Sequence, residues 1–187
     1  MLITRRLDPS RRQHSKYMKN TSLPQRKHPR LKNYDYGSNG YYYITINTCE
    51  NCSILSRVGR GLAPAEAEIK LSPIGKIAEE QLFDLEKRFC GLKIDKYVIM
   101  PNHIHAILIL ESPAAGASPR PTVPDIICAF KSLTTRICNK KFNTPGRKLF
   151  QASFYDEIIE NENHYLEAWQ YIENNPLKYC LRKENNL

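Results

Sequence analysis

No part of this 187-residue chain stays apolar for long enough to cross a membrane. Its longest apolar stretch, residues 97–110, is interrupted by Pro101, Asn102, His103 and His105, whereas a span needs about 20 mostly apolar residues. The first residues lack an apolar segment between basic residues and a cleavage site, so no secretory signal is expected and the reading is cytoplasmic. A second C-x-x-C is also missing. Six cysteines are present (Cys49, Cys52, Cys90, Cys128, Cys138 and Cys180), but only Cys49 and Cys52 form such a pair. A structural zinc site normally needs two pairs, or one pair with histidines at ligand spacing. Free thiols in a reducing compartment are therefore expected, with Cys128 and Cys138 read as core on an apolar helical pattern. No internal repeat or second core is visible, and the length suits one domain.

Acid is scarce where the chain begins. Residues 1–40 hold ten Lys and Arg against two acids, Asp8 and Asp35, and so carry most of the net charge of +9. A segment of this kind either binds a polyanion through counterion release or serves as a solubilising tail. Residues 1–38 are read as a basic, partly flexible arm, 39–181 as the folded domain and 182–187 as a short tail.

Within the domain the pattern changes from element to element. Residues 41–48, started by Asn39-Gly40, are rich in tyrosine, isoleucine and threonine and predict a strand. Residues 49–70, with Gly59 and Gly61, read as a long loop. Ser72-Pro73 opens a helix, because Ser caps and Pro suits the first helical position. Ile74, Ile77, Ala78, Leu82 and Leu85 give that helix its apolar stripe. Residues 92–100 and 103–110 predict two strands on either side of a Pro101-Asn102 break. A linker rich in Pro, Ala and Gly follows at 112–122. A helix begins at Val123 or Pro124 and runs to Asn139, with Ile126, Ile127, Phe130, Leu133 and Ile137 on its buried face. A strand lies within 149–159. Asn161 caps a last helix, which Pro176 is expected to end after Asn175. The order is that of a ferredoxin-like, RRM-like βαββαβ sheet with helices on one face, plus a C-terminal helix.

Two short patterns carry chemistry. In His103-Ile104-His105 the strand alternation points both imidazoles to one face, while Ile104, Ala106, Leu108 and Leu110 point to the other. Two neutral imidazoles so placed are half of a divalent-cation site; the same pattern also suits a hydrogen-bonded surface pair. In the last helix Tyr171 and Asn175 are four residues apart and share a face, with Tyr165, Trp169 and Ile172 as an apolar flank. Alone, Tyr171 suits packing and Asn175 suits a C-terminal cap. Taken together, the patterns suggest phosphodiester chemistry. A neutral phenol of pKa near 10 attacks a phosphodiester poorly, and a cation polarises the phosphate and offsets the charge that develops. Mg²⁺ prefers oxygen ligands and Mn²⁺ accepts mixed ones, so both remain open.

Here the chain resembles a known family, the one-tyrosine HUH transposases of the insertion-sequence 200 type, and within it the REP-associated tyrosine transposases. Residues 98–108 (Val-Ile-Met-Pro-Asn-His-Ile-His-Ala-Ile-Leu) are very like the family's histidine-hydrophobe-histidine strand. Residues 150–156 (Phe-Gln-Ala-Ser-Phe-Tyr-Asp) are similar to its next block, residues 171–176 to its tyrosine helix, and residues 30–36 with the Tyr-rich strand to its start. The likeness runs from about residue 26 to residue 181. It implies a metal-dependent enzyme that cuts and rejoins single-stranded, hairpin-forming DNA. Tyr171 would become joined to the 5′-phosphate and release a 3′-OH. His103 and His105 would bind Mg²⁺ or Mn²⁺, and Asn175 matches the third ligand position, where insertion-sequence relatives carry glutamine. Backbone contacts are expected from Arg30, Lys32, Lys131, Arg136, Lys140, Lys141, Arg147 and Lys148. A homodimer follows from the insertion-sequence relatives, although the REP-associated branch need not share it. The arm before residue 26 and the segments 57–69 and 112–122 depart from the family pattern and read as variable.

Two other functions fit the same residues. One is a non-catalytic single-strand binding module that presents Tyr41, Tyr42 and Tyr43 for base stacking, with Tyr41 and Tyr43 placed on one face by alternation. The other is a metallophosphoesterase that uses activated water and leaves Tyr171 structural.

Overall fold

The computed structural model describes residues 34–61, 67–111 and 121–184. Arg30, Lys32, most of the basic arm, most of the 112–122 linker and the last three residues lie outside the described residues.

Four strands form one antiparallel sheet: β1 (Gly40–Asn47), β4 (Leu92–Ile99), β5 (His103–Leu110) and β6 (Tyr155–Ile159), in the order β4-β5-β1-β6. Each strand's neighbours are antiparallel to it. This is the predicted ferredoxin-like arrangement. The helices are α1 (Pro73–Arg88), α2 (Val123–Lys141) and α3 (Glu162–Glu184).

The starts of the helices are set by local chemistry. The Ser72 hydroxyl accepts from the Gly75 amide at 3.0 Å, with Pro73 next in line. Thr122 and Asp125 form a reciprocal capping box. Asn161 Oδ1 accepts from the His164 amide at 2.9 Å and caps α3 as expected. Gly75 has a packing reason as well: a Cβ there would meet the Leu55 carbonyl oxygen at 2.0 Å.

Strand alternation divides the molecule into two layers. Tyr42, Ile44 and Ile46 of β1 and Ile104, Ala106, Leu108 and Leu110 of β5 join the main core, where α1 and α2 cover the sheet. The opposite residues of the same strands face α3. There Val98, Met100, Ile107 and Ile159 pack with Ala168 and Ile172 in a second, smaller core.

Three expectations are corrected. First, residues 49–70 are not a loop throughout. β2 (Ser56–Arg60) and β3 (Ala67–Leu71) pair as an antiparallel ribbon in which Val58 lies opposite Ile69. Those two side chains pack with the α3 core. Val58 and Ile69, with Leu71 packed on the main core, are too few apolar residues to stand out from the glycines and charges around them. Second, Pro176 does not end α3, which continues eight residues beyond it to Glu184. An interior proline costs about 3 kcal/mol. However, Ala168, Ile172, Pro176 and Cys180 recur every four residues and are all buried, and each large apolar side chain so placed returns roughly 1.5–3 kcal/mol. Packing outweighs the proline, and Asn175 is therefore not a cap. Third, Cys128 and Ile137 lie on the exposed side of α2, while Cys138 and Thr134 are buried. Ile126, Ile127 and Phe130 are buried as expected, but beyond them the buried face runs through Thr134 and Cys138 rather than Ile137. All six cysteines are free.

Candidate active site

The residues expected to carry the chemistry meet in the layer between the sheet and α3. β5 presents His103 and His105 to that layer, and their ring centroids are 4.6 Å apart. α3 brings Tyr171 over them, with its ring centroid 5.3 Å from that of His105. Tyr171 is 43% exposed. It is thus neither a core residue nor remote from the histidines, and a large substrate can reach its hydroxyl.

The protons of both imidazoles are placed by their neighbours. The Asn102 Oδ1 can only accept, so His103 Nδ1–H donates to it at 2.7 Å and the lone pair is on Nε2. His105 is 5% exposed. Its Nδ1 lies 2.7 Å from the Tyr43 hydroxyl and 2.9 Å from the Thr45 hydroxyl. With the proton on Nδ1, the ring donates into this hydroxyl pair. Its Nε2 is then a bare lone pair, buried and without a hydrogen-bond partner. Burial holds the pKa of His103 below its usual range, and burial with the neighbouring His103 lowers that of His105 to about 3. Both rings are therefore neutral at ordinary pH.

Two adjacent neutral imidazoles, each with its Nδ1 engaged by a neighbouring polar group so that Nε2 can be left free, suit a divalent cation. An unpaired buried nitrogen would otherwise be a net cost. No group of three His, Cys, Asp or Glu suited to a metal occurs among the described residues, so any further ligands must be of other types. Asn175 is one helical turn past Tyr171 and half-buried; among the described residues its amide has no hydrogen-bond partner.

Tyr43, the other phenol of the site, is unsuited to attack. Its ring stacks on His105 at 5.4 Å, and burial raises its pKa well above the ordinary value. It orients His105. Nor is it a free stacking surface for bases, and Tyr41 packs edge-on against Tyr165. The sequence reading missed the orienting roles of Tyr43, Thr45 and Asn102. The signal was nonetheless present: Thr45 lies opposite His105 in the β1–β5 register, and Tyr43 shares its face.

α3 is held over the histidines by contacts along its length. Tyr165 donates to Asp95 at 2.8 Å, and Lys96 lies 3.9 Å above the Trp169 ring and pairs with Glu173. A cleft of about 340 Å³ opens beside Tyr171, lined by Tyr43, Glu157, His164, Glu167 and Ala168.

The cations expected at DNA lie in the other layer. Arg136, Lys140 and Lys141 are exposed on α2, and Arg147 and Lys148 on the turn that follows. Lys131 donates to the carbonyls of Ala152 and Ser153, at 2.8 and 3.1 Å, and so also fixes the segment leading to β6. Lys131, Arg136 and Lys148 line the larger concavity, about 840 Å³, floored by Ile127, Leu149, Phe150 and Phe154. That groove is not where the histidines and Tyr171 are. It approaches them through residues 148–151, where the Gln151 amide donates to the Asn47 carbonyl and Asn47 lies opposite His103.

Comparison with known proteins agrees with this geometry. An uncharacterized protein of Haemophilus influenzae is 30% identical over 173 residues, covering 84% of this chain and 92% of that protein. The structure of a REP-associated tyrosine transposase bound to a REP hairpin shares the fold, with a TM-score of 0.57 at 16% identity over 80% of this chain and 74% of that one. The family model described as "Transposase IS200 like" matches residues 76–175, a segment that includes both histidines, Tyr171 and Asn175. Since that match takes in more than half of the chain, the protein belongs to the IS200-like transposase family.

Proposed function

We propose that this transposase cuts and rejoins single-stranded, hairpin-forming DNA through a covalent bond to Tyr171. The observation that carries the reading is the approach of an exposed phenol to two adjacent neutral imidazoles, one of which has a buried Nε2 without a hydrogen-bond partner. The hairpin preference draws on the fold neighbour, which was solved with a REP hairpin.

The Tyr171 oxygen attacks the scissile phosphorus and loses its proton to solvent. The bond between phosphorus and the 3′ oxygen breaks, and that oxygen takes up a proton and leaves as a 3′-OH. The 5′-phosphate stays on Tyr171. Attack by a second 3′-OH reverses the step and joins the strands. His103, His105 and Asn175 would hold Mg²⁺ or Mn²⁺. When bound, the cation supplies Lewis-acid polarisation of the phosphate and offsets the charge of the pentavalent transition state. Asn102, Tyr43 and Thr45 keep the imidazoles turned toward that position. Lys131, Arg136, Lys140, Lys141, Arg147 and Lys148, with Arg30 and Lys32 of the arm, hold the DNA backbone away from the cut.

The test incubates the protein with single-stranded hairpin oligonucleotides and Mn²⁺. A protein–DNA adduct is expected from the wild type and not from Tyr171→Phe. Cleavage that persists in Tyr171→Phe without an adduct would instead mean attack by water. Absence of any cleavage with any divalent metal would mean a binding module.

A further inference from the structure

We propose that the part of α3 beyond Pro176 is a rail for the DNA backbone, with Lys178 and Arg182 binding phosphates next to the one attacked. The inference rests on Tyr171 as the nucleophile.

The argument starts from helical spacing. Tyr171, Asn175, Lys178 and Arg182 are separated by four, three and four residues, so they form one stripe along α3. The stripe exists only because the helix continues through Pro176. Lys178 and Arg182 both lie outside the segment matched by the family model, which stops at Asn175. At a rise of about 1.5 Å per residue, they are roughly 10 and 16 Å along the axis from Tyr171. The long Lys178 side chain reaches back, and its ammonium lies 5.3 Å from the centre of the Tyr171 ring.

Cations in a last helical turn are favoured by the helix dipole alone. That accounts for Arg182 and Lys183. It does not account for Lys178, which is exposed and lies over the reacting phenol. The charge on the other side of Tyr171 has the opposite sign, since Glu157 and Glu167 line the cleft toward the start of α3. A polyanionic strand crossing Tyr171 is thus repelled toward the start of the helix and attracted toward its end. Lys183, displaced around the helix from the stripe, lies instead over Tyr179 at 5.3 Å and serves as an internal control.

The experiment measures binding of oligo(dT) by fluorescence anisotropy over a range of salt, in a Tyr171→Phe background that cannot cut. Each phosphate neutralised on a single strand contributes about 0.7 to the slope of log affinity against log salt. Lys178→Gln with Arg182→Gln should lower that slope by about 1.4, Lys178→Arg should preserve it, and Lys183→Gln should leave it unchanged. The position is read with a hairpin oligonucleotide that the wild type cuts, carrying single neutral methylphosphonates. Substitution at a phosphate adjacent to the cut should weaken the parent and leave the double variant unaffected. An unchanged slope in the double variant, an equal fall in Lys183→Gln, or equal methylphosphonate penalties in parent and double variant would overturn the rail. Adduct formation by the wild type is scored separately; its absence would count against Tyr171 as nucleophile whatever the slope does.

Discussion

Two hydroxyls determine how His105 can act. The Tyr43 and Thr45 hydroxyls both lie within hydrogen-bond distance of its Nδ1, and its Nε2 is buried without a hydrogen-bond partner. Loss of such an orienting partner typically costs 10–100-fold in metal affinity. Because Thr45 remains, Tyr43→Phe is expected at the lower end, about tenfold weaker for Mn²⁺ by calorimetric titration; unchanged affinity would contradict the orienting role. The same burial has a consequence for stability. His103 and His105 have folded-state pKa values below the unfolded value. As pH falls below about 6.5, the unfolded chain takes up protons that the folded one refuses, so stability drops. With metal removed by chelator, the melting temperature should be lower at pH 5 than at pH 7.5. His105→Gln should reduce that difference, and an identical pH dependence in the variant would contradict the burial argument.

At the scale of elements, α3 carries Tyr171, the proposed nucleophile, and is kept in register by what it covers. Ile172 is 1% exposed among Val98, Met100, Ile107 and Ile159. Ile172→Ala should cost about 2–4 kcal/mol in urea denaturation and slow cleavage, because Tyr171 is adjacent. A loss well under 1 kcal/mol would show that α3 is not held by this core. Much of this arrangement was legible in the sequence. The alternation His103-Ile104-His105 fixed the face of both imidazoles, Ser72-Pro73 and Asn161 marked helix starts, and the four-residue spacing of Tyr171 and Asn175 put them on one side. Local signals failed where tertiary packing decides. Pro176 is a helix breaker by propensity, yet it is buried in a stripe that only the folded layer reveals. The β2–β3 ribbon has few apolar anchors, and two of them, Val58 and Ile69, depend on α3 for cover. Lys178 escaped notice for the same reason as the end of α3.

Across the whole molecule, one sheet separates two tasks. The face under α3 holds His103, His105 and Tyr171, while the α2 side carries Arg136, Lys140, Lys141 and the nearby Arg147 and Lys148, which are exposed. Removing Lys140, Lys141, Arg147 and Lys148 together as glutamines should raise KM for a hairpin oligonucleotide several-fold at moderate salt, and leave kcat within about twofold. A fall in kcat with unchanged KM would place these residues at the chemistry instead. No described helix is long and apolar enough to cross a membrane.

The most direct measurement is peptide mapping of the reaction product. Wild-type protein is incubated with a hairpin oligonucleotide and Mn²⁺, digested with nuclease and protease, and analysed by mass spectrometry. The account predicts a nucleotide joined through its 5′-phosphate to the phenol oxygen of Tyr171, with the other DNA fragment ending in a free 3′-OH. A nucleotide on another residue, or cleaved DNA with a free 5′-phosphate and unmodified protein, would contradict it.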